Sequence, residues 1–320
     1  MNPSNLSGMH KKMIKLFLCA SLLLGAPSFA KDFTFTAIGD QPYGSHEPFQ
    51  QLIKKINQQK DNQFTIHVGD IKDGGSECSD QTFKNVKKMF DSFEKPLIYT
   101  PGDNEWTDCH RKSNGSYEPT ERLKQVRQIF FGGPKKQTST AIKIESQSEL
   151  FKEYSLYVEN QRWSYNKILF VTIHQVGSNN NLDPKVSGAI AEYEARNKAN
   201  LQWLENSFKL ASQNQSDAIV LAMQSDTFHP IIGKSPGFSD FITKFSTLAQ
   251  EFKKPVLLIQ GDTHEYLVDQ PLKKLNSPSG QNVIRLVVPG AKLIEAVEVR
   301  VNSNRFDAIE FFSFKKYSLN

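Results

Sequence analysis

Short apolar runs recur along the chain, and each ends on a glycine, a proline or a polar side chain. Phe33–Ile38 runs into Gly39-Asp40, residues 64–68 into Gly69-Asp70, and residues 97–100 into Pro101-Gly102-Asp103. Residues 168–173 meet His174-Gln175, residues 218–223 meet Gln224-Ser225-Asp226, and Val256–Gln260 meets Gly261-Asp262-Thr263-His264. Short apolar runs bounded by turn residues predict buried strands. Between them the period becomes helical: Phe49, Leu52, Ile53 and Ile56 share one face, as do Phe83, Val86, Phe90 and Phe93. Leu123, Val126, Ile129 and Phe130 mark a third helix, capped by Thr120 after Pro119, and Leu201, Leu204 and Phe208 a fourth. Strands alternating with helices predict a layered α/β domain. Residues 283–289, 296–301 and 306–314 then follow one another as strands without helices between, in a second sheet or as an edge of the same domain. Residues 131–150, rich in Lys, Gln, Ser and Thr, predict an exposed insertion.

In such a domain ligands bind in the crevice beyond the carboxyl ends of the strands. Asp40, Asp70, Asp103 and Asp262 each follow a glycine at such an end, and glycine permits the sharp exit that turns a carboxylate back over the strand. Singly, each Asp can cap a helix or close an Asx turn. Together they repel one another unless cations neutralise them, so the set predicts a metal centre.

The chain of 320 residues is 38% hydrophobic and 11% aromatic, enough to bury a sizeable core. Its start reads differently. His10, Lys11, Lys12 and Lys15 precede or enter an apolar run from Met13 to Gly25, and Ser28-Phe29-Ala30 supplies small residues before a cleavage site. Residues 1–30 are therefore expected to be an export signal, with residues 31–320 forming one domain that is periplasmic or secreted. Leu18 directly before Cys19 does not fit a lipid attachment site, and no segment of the mature chain approaches the roughly 20 apolar residues of a membrane span. Cleavage takes 39 basic side chains to 36 against 34 acidic ones, and the formal charge from +5 to +2. Lysine pairs such as Lys54-Lys55, Lys87-Lys88 and Lys135-Lys136 are scattered without interleaved aromatics, so no nucleic-acid stripe is expected. The mature chain keeps Cys78 and Cys109, which follow Asp70 and Asp103 closely. If both loops leave the same sheet edge, a Cys78 to Cys109 disulfide fits.

These motifs, in this order, resemble the calcineurin-like metallophosphoesterase superfamily over most of residues 33–264. The resemblance implies a four-layer α/β/β/α sandwich that holds two metal ions between strand-end loops. The superfamily's motifs are Asp-x-His, Gly-Asp with further acid, Gly-Asn-His-Asp/Glu, a lone His and Gly-His-x-His. Asp40 takes the first position, but Pro42 stands where its partner His belongs. Asp70, in Gly69-Asp70-Ile71-Lys72-Asp73-Gly74, matches the bridging carboxylate. In Gly102-Asp103-Asn104-Glu105, Asp103 replaces the metal-binding Asn, and Asn104 replaces the His that would stabilise the transition state or protonate the leaving group. Gln224 takes the lone-His position, with His229 nearby, and Gly261-Asp262-Thr263-His264 keeps only its second His. The resemblance thus implies Asp40, Asp70, Asp103, Gln224, Asp262 and His264 as metal ligands.

An oxygen-dominated ligand set favours Mn²⁺ or Mg²⁺ over Zn²⁺, with Ca²⁺ or iron as further candidates. Two ions bridged by Asp70 would activate water for in-line attack on a small phosphorylated substrate. Asn104 can donate a hydrogen bond to a phosphoryl oxygen but cannot supply a proton. His110 and Arg111, on the same loop, are candidates for the acid and for a phosphate clamp, or else are surface residues beside Asp108. Lys72 and Asp73 either position substrate or order their loop. His174 and the run from Gly177 to Asn181 either rim the pocket or form an ordinary turn. His67, inside a strand, is expected to be packed or hydrogen-bonded, and His46 is a further histidine near Asp40. The activity expected is that of an exported metal-dependent phosphoesterase acting on a phosphomonoester or phosphodiester. The lost histidines equally suit a non-catalytic member that binds a cation, a ligand or a protein.

Overall fold

The structure, a computed structural model, describes residues 31–132, 142–273 and 280–319. The expected export signal lies outside them, as do residues 133–141 of the expected insertion. Among the described residues the strands are β1 (Phe33–Ile38), β2 (Asn62–His67), β3 (Leu97–Tyr99), β4 (Glu145–Ser146), β5 (Gln161–Tyr165) and β6 (Ile168–Thr172). They continue with β7 (Ala218–Ala222), β8 (Val256–Gln260), β9 (Leu267–Asp269), β10 (Val283–Val287), β11 (Glu295–Val301) and β12 (Phe312–Ser318). The longer helices are α1 (Glu47–Asn57), α2 (Asp80–Phe90), α3 (Pro119–Phe131), α4 (Ala189–Gln213) and α5 (Ser239–Phe252).

The strands form two mixed sheets, in the orders β12-β11-β1-β2-β3 and β4-β5-β6-β7-β8-β10-β9. In the first sheet β1, β2 and β3 pair in parallel, while β11 pairs antiparallel with β1 and with β12; in the second β6, β7, β8 and β10 pair in parallel, while β5 pairs antiparallel with β6 and with β4, and β9 with β10. Alternation along buried strands decides what lies on each face. In β6, Ile168 and Phe170 join Phe35, Phe64, Trp163 and Val297 in the core between the sheets, whereas Leu169 and Val171 pack with Trp203, Leu204 and Phe208 of α4 and Phe241 and Phe245 of α5. On the other side Phe49, Leu52, Ile53 and Ile56 of α1 and Phe83, Val86 and Phe90 of α2 cover the first sheet. The result is the expected helix, sheet, sheet, helix sandwich.

The structure departs from the expected elements in four places. The C-terminal strands divide between the sheets: β10 extends the second, and β11 and β12 extend the first. Residues 308–311 form a helical turn instead of a strand, because the Asp307 carboxylate accepts from Ile309 N at 2.8 Å and caps it, so the last strand starts at Phe312. The cap of α3 is Glu118, whose side chain accepts from the backbone N–H groups of Thr120 and Glu121; Thr120 is already helical. Within residues 131–150, Glu145–Ser146 pairs with β5 and a capping box at Ser146 and Glu149 starts a short helical turn.

Candidate metal centre

The parallel strands of both sheets release their loops on the same side of the sandwich, and three of the strand-end aspartates leave the strand through left-handed backbone: φ is 52° at Asp40, 56° at Asp70 and 73° at Asp262. Residues other than glycine rarely adopt this conformation, and here it folds each carboxylate back over its strand. Two glycines let the groups approach. A methyl group on Gly102 would stand 2.1 Å from Asp70 Oδ1, and one on Gly177 would stand 2.7 Å from Asp103 Oδ2 and 2.9 Å from Asp262 Oδ1.

Two clusters result. Asp40, Asp70 and His264 bring one ligand atom each within 4.8 Å of one another, and so do Asp70, Asp103 and Asp262, so Asp70 belongs to both. Asp40 Oδ1 lies 3.4 Å from His264 Nε2 and accepts from Asp262 N at 3.0 Å. Asp40 Oδ2 and Asp262 Oδ2 are buried without a hydrogen-bond partner. Burial, followed by the charges of Asp103 and Glu105, drives Asp70 well above the usual carboxylate range. Burial, Asp103 and Asp40 do the same to Asp262. Asp40 is raised by burial against the opposing effect of His264, and His264 is itself raised by its hydrogen bond to Asp40. Carboxylates packed this closely cannot all ionise without added positive charge.

Surrounding side chains align them. Gln224 Nε2 donates to Asp70 Oδ2 and Asp103 Oδ1, both at 3.1 Å, while its Oε1 accepts from Gly177 N at 2.5 Å. The expected ligand Gln224 thus stands at the second cluster with its amide nitrogen toward the carboxylates. The Ser178 hydroxyl lies 2.7 Å from Asp103 Oδ2 and 3.0 Å from Asp108 Oδ1, so the Gly177–Asn180 turn borders the centre. Glu105 accepts from Tyr99 OH at 2.6 Å and Gly102 N at 2.7 Å, which holds the exit from β3. Asn104 N donates to Asp70 Oδ1 at 3.2 Å, and its Nδ2 donates to Tyr43 OH at 2.9 Å. Tyr43 is the neighbour that sequence patterning passed over; its one signal is its place three residues after Asp40.

The remaining candidates divide. Cys78 and Cys109 form the expected disulfide, with Cα atoms 5.8 Å apart, and tie the loop after β2 to the loop after β3. His110 is exposed, and its ring Nδ1 donates to Thr107 O at 2.7 Å within its own turn. Arg111 pairs with Asp108 at 2.6 Å. A methyl group on Gly74 would stand 3.0 Å from Asn104 Oδ1 and 3.7 Å from Arg111 Nη1, which puts the guanidinium at the rim beside Asn104. Lys72 is buried and donates to the carbonyls of Asp73 and Asn104, each at 2.8 Å, so it orders the loop. Asp73 does likewise, accepting from Gly75 N at 2.9 Å. His67 Nε2 donates to Gln41 O at 2.8 Å, and Nδ1 accepts from Gly69 N at 3.1 Å. Both ring nitrogens are thereby satisfied in the neutral form, and burial pushes the pKa of this imidazole down to about 4. His174 is buried with Nδ1 2.8 Å from Glu159 Oε1. His229 Nδ1 accepts from Ile231 N and Ile232 N at 3.3 Å, and His46 lines a groove between α1 and α2.

Among solved structures, the chain is similar to one described as GAP50, the anchor in the inner membrane complex of Plasmodium. The two share 12% identity with a TM-score of 0.51, over 90% of this chain and 89% of that one. It is also similar to TT1561 of Thermus thermophilus, with 9% identity, a TM-score of 0.47 and coverage of 91% and 100%. No curated protein matches the sequence. The first of these likenesses, at so low an identity, is one of fold alone. The calcineurin-like phosphoesterases are matched over residues 33–266. Since that match begins at the first residue of β1 and closes just past His264, taking in both carboxylate clusters, the chain belongs to the calcineurin-like phosphoesterase family.

Proposed function

We propose that the protein is an exported, metal-dependent phosphoesterase that hydrolyses a phosphomonoester or a phosphodiester. The observation that carries this reading is the convergence of two ligand clusters on a shared Asp70. The residues fit divalent ions. Two buried carboxylate oxygens, Asp40 Oδ2 and Asp262 Oδ2, have no partner, and the donor set is oxygen-rich with a single imidazole. Such a set suits Mn²⁺ or Mg²⁺ better than Zn²⁺, with Asp40, Asp70 and His264 holding one ion and Asp70, Asp103 and Asp262 the other. Ions bound there supply Lewis-acid activation of water for in-line attack on phosphorus. The chain supplies alignment: Gln224 and Ser178 hold Asp70 and Asp103 in place, and the Asn104 amide donates to Tyr43 OH beside them. Arg111, partly exposed at the rim, is placed to meet the negative charge of a phosphate. The disulfide supports an oxidising compartment, and with it removal of residues 1–30 on export to the periplasm or beyond. Among the described residues no helix is long and apolar enough to cross a membrane.

A second reading is a member of the fold that binds a cation, a ligand or a protein without turnover. Pro42, Asn104, Gln224 and Asp262 at positions where the family carries histidine favour it. The two are separated by loading mature protein with Mn²⁺, desalting it, counting ions by mass spectrometry, and assaying p-nitrophenyl phosphate and bis-p-nitrophenyl phosphate. Close to two ions per chain is expected, together with turnover of at least one ester that Asp70→Asn abolishes. A fully loaded protein that cleaves neither ester leaves the binding reading. Zinc retained at full occupancy after purification without added metal would overturn the preference for harder cations.

A further inference from the structure

We propose that Tyr43 is a substrate-contacting residue of this centre, its phenol donating a hydrogen bond to the bound phosphoryl group where the family uses a histidine. The proposal rests on the phosphoesterase reading. Tyr43 leaves β1 on the same loop as Asp40 and is partly exposed. That oxygen is 3.3 Å from Asp70 Oδ2, the carboxylate common to both clusters, and 3.5 Å from His264 Nε2. The ring stands edge-on to His264, with centroids 5.5 Å apart and planes at 88°.

A phenol has one donor hydrogen and two acceptor lone pairs. Asn104 Nδ2 donates to one lone pair at 2.9 Å, which leaves the O–H to point into the centre, where it now ends on Asp70. A cation held by Asp70 would compete with the phenol for that oxygen, leaving the O–H free to donate to a phosphoryl oxygen drawn to the same centre. Asn104, which occupies the histidine position, therefore acts through Tyr43 as well as directly, and a neutral amide and phenol pair presents the donor that an imidazole would.

The test uses the full mature chain loaded with Mn²⁺, with inorganic phosphate as the probe in calorimetry. Tyr43→Phe keeps the ring and its packing on His264 but removes the donor. The variant is expected to retain the wild-type ion content by mass spectrometry and to bind phosphate about 10- to 100-fold more weakly, the range of one hydrogen bond to a charged group. Asn104→Leu is expected to weaken phosphate as well, and the double variant by less than the product of the two factors, since both remove parts of one arrangement. Unchanged phosphate affinity in Tyr43→Phe would reduce Tyr43 to packing, loss of an ion would make it a metal ligand, and full multiplicativity would disconnect it from Asn104; each overturns the proposal. Assay of the wild type separates the two levels. A protein that binds phosphate and hydrolyses no ester overturns the enzyme reading while Tyr43 stands or falls by calorimetry, and one that binds no phosphate overturns the Tyr43 proposal whatever the ester assay shows.

Discussion

Two buried polar regions, one around His174 just after β6 and the other the candidate metal centre beyond the ends of β1, β2, β3 and β8, handle charge in opposite ways. Around His174 every charge meets its counterpart. Glu159 accepts from Arg127 Nη2 at 2.6 Å and from His174 Nδ1 at 2.8 Å, while the fully buried Arg196 donates to Glu192 Oε1 at 2.7 Å and Asn180 Oδ1 at 2.6 Å. Burial alone would raise Glu159, but Arg127 and His174 outweigh it and hold the carboxyl well below its usual range. At the metal centre Asp40, Asp70 and Asp262 are all raised, because burial and neighbouring carboxylates act in the same direction. In the first region the charges are matched from within. In the second, carboxylates crowd one another, the arrangement that suits added cations.

Breaking the matched region has the largest expected effect. Glu159→Ala leaves the half-buried Arg127 and the buried His174 without their shared acceptor, at a cost of about 3 kcal/mol in urea unfolding. The ion content per folded chain should stay the same; ions lost with the fold intact would show that the two regions are one.

His67 gives the comparison a pH axis, because it is an imidazole beneath the centre that is satisfied only when neutral. Its folded pKa, about 4, lies below the ordinary value of 6.5. The stability it contributes is therefore fully present above pH 6.5 and is lost as the pH falls from there to about 4, where the unfolded chain takes up a proton that the folded one resists. The loss amounts to about 3 kcal/mol. The difference in unfolding free energy between wild type and His67→Asn should change with pH across that window, and a constant difference would remove the effect.

The smallest expected change has the opposite sign. Asp262→Asn takes one repelling carboxylate out of the centre, so in chelator the variant should be more stable than wild type by roughly 1 kcal/mol. With Mn²⁺ added, wild type should overtake it, since binding to the folded state alone stabilises by about 2.7 kcal/mol at a hundredfold excess over Kd. A variant less stable under both conditions would mean that Asp262 is a structural partner and not a site for a cation.

Much of the centre was legible because its residues obey local rules. A glycine before an aspartate at a strand end is visible in one dimension, and it led to Asp40, Asp70, Asp103 and Asp262, while cysteines at similar offsets led to the disulfide. Tyr43 was not legible in this way, since it reaches the centre through a loop path that no periodicity encodes, and Ser178 was visible only as part of the polar run Gly177 to Asn181 that could rim the pocket or merely turn. The direction of the His110 ring depends on the tight turn Thr107–His110 folding it back on itself. The edge strand β5, Gln161–Tyr165, carries a mixed polar pattern that hides it, and the turn at residues 308–311 depends on a single cap, Asp307. The helix α5 was readable after all: Phe241, Phe245, Ala249 and Phe252 fall on one face.

The pairing of β1 with β11 sets the order in which the molecule can be assembled. Phe33 faces Val301 and Ala37 faces Val297, so the strand that delivers Asp40 has one of its two neighbours far along the chain, beyond every ligand of the centre. Until that neighbour is available, β1 has an open edge. Contacts this distant in the chain form slowly. In a growing chain the first sheet therefore keeps an open edge at β1 until β11 has been made.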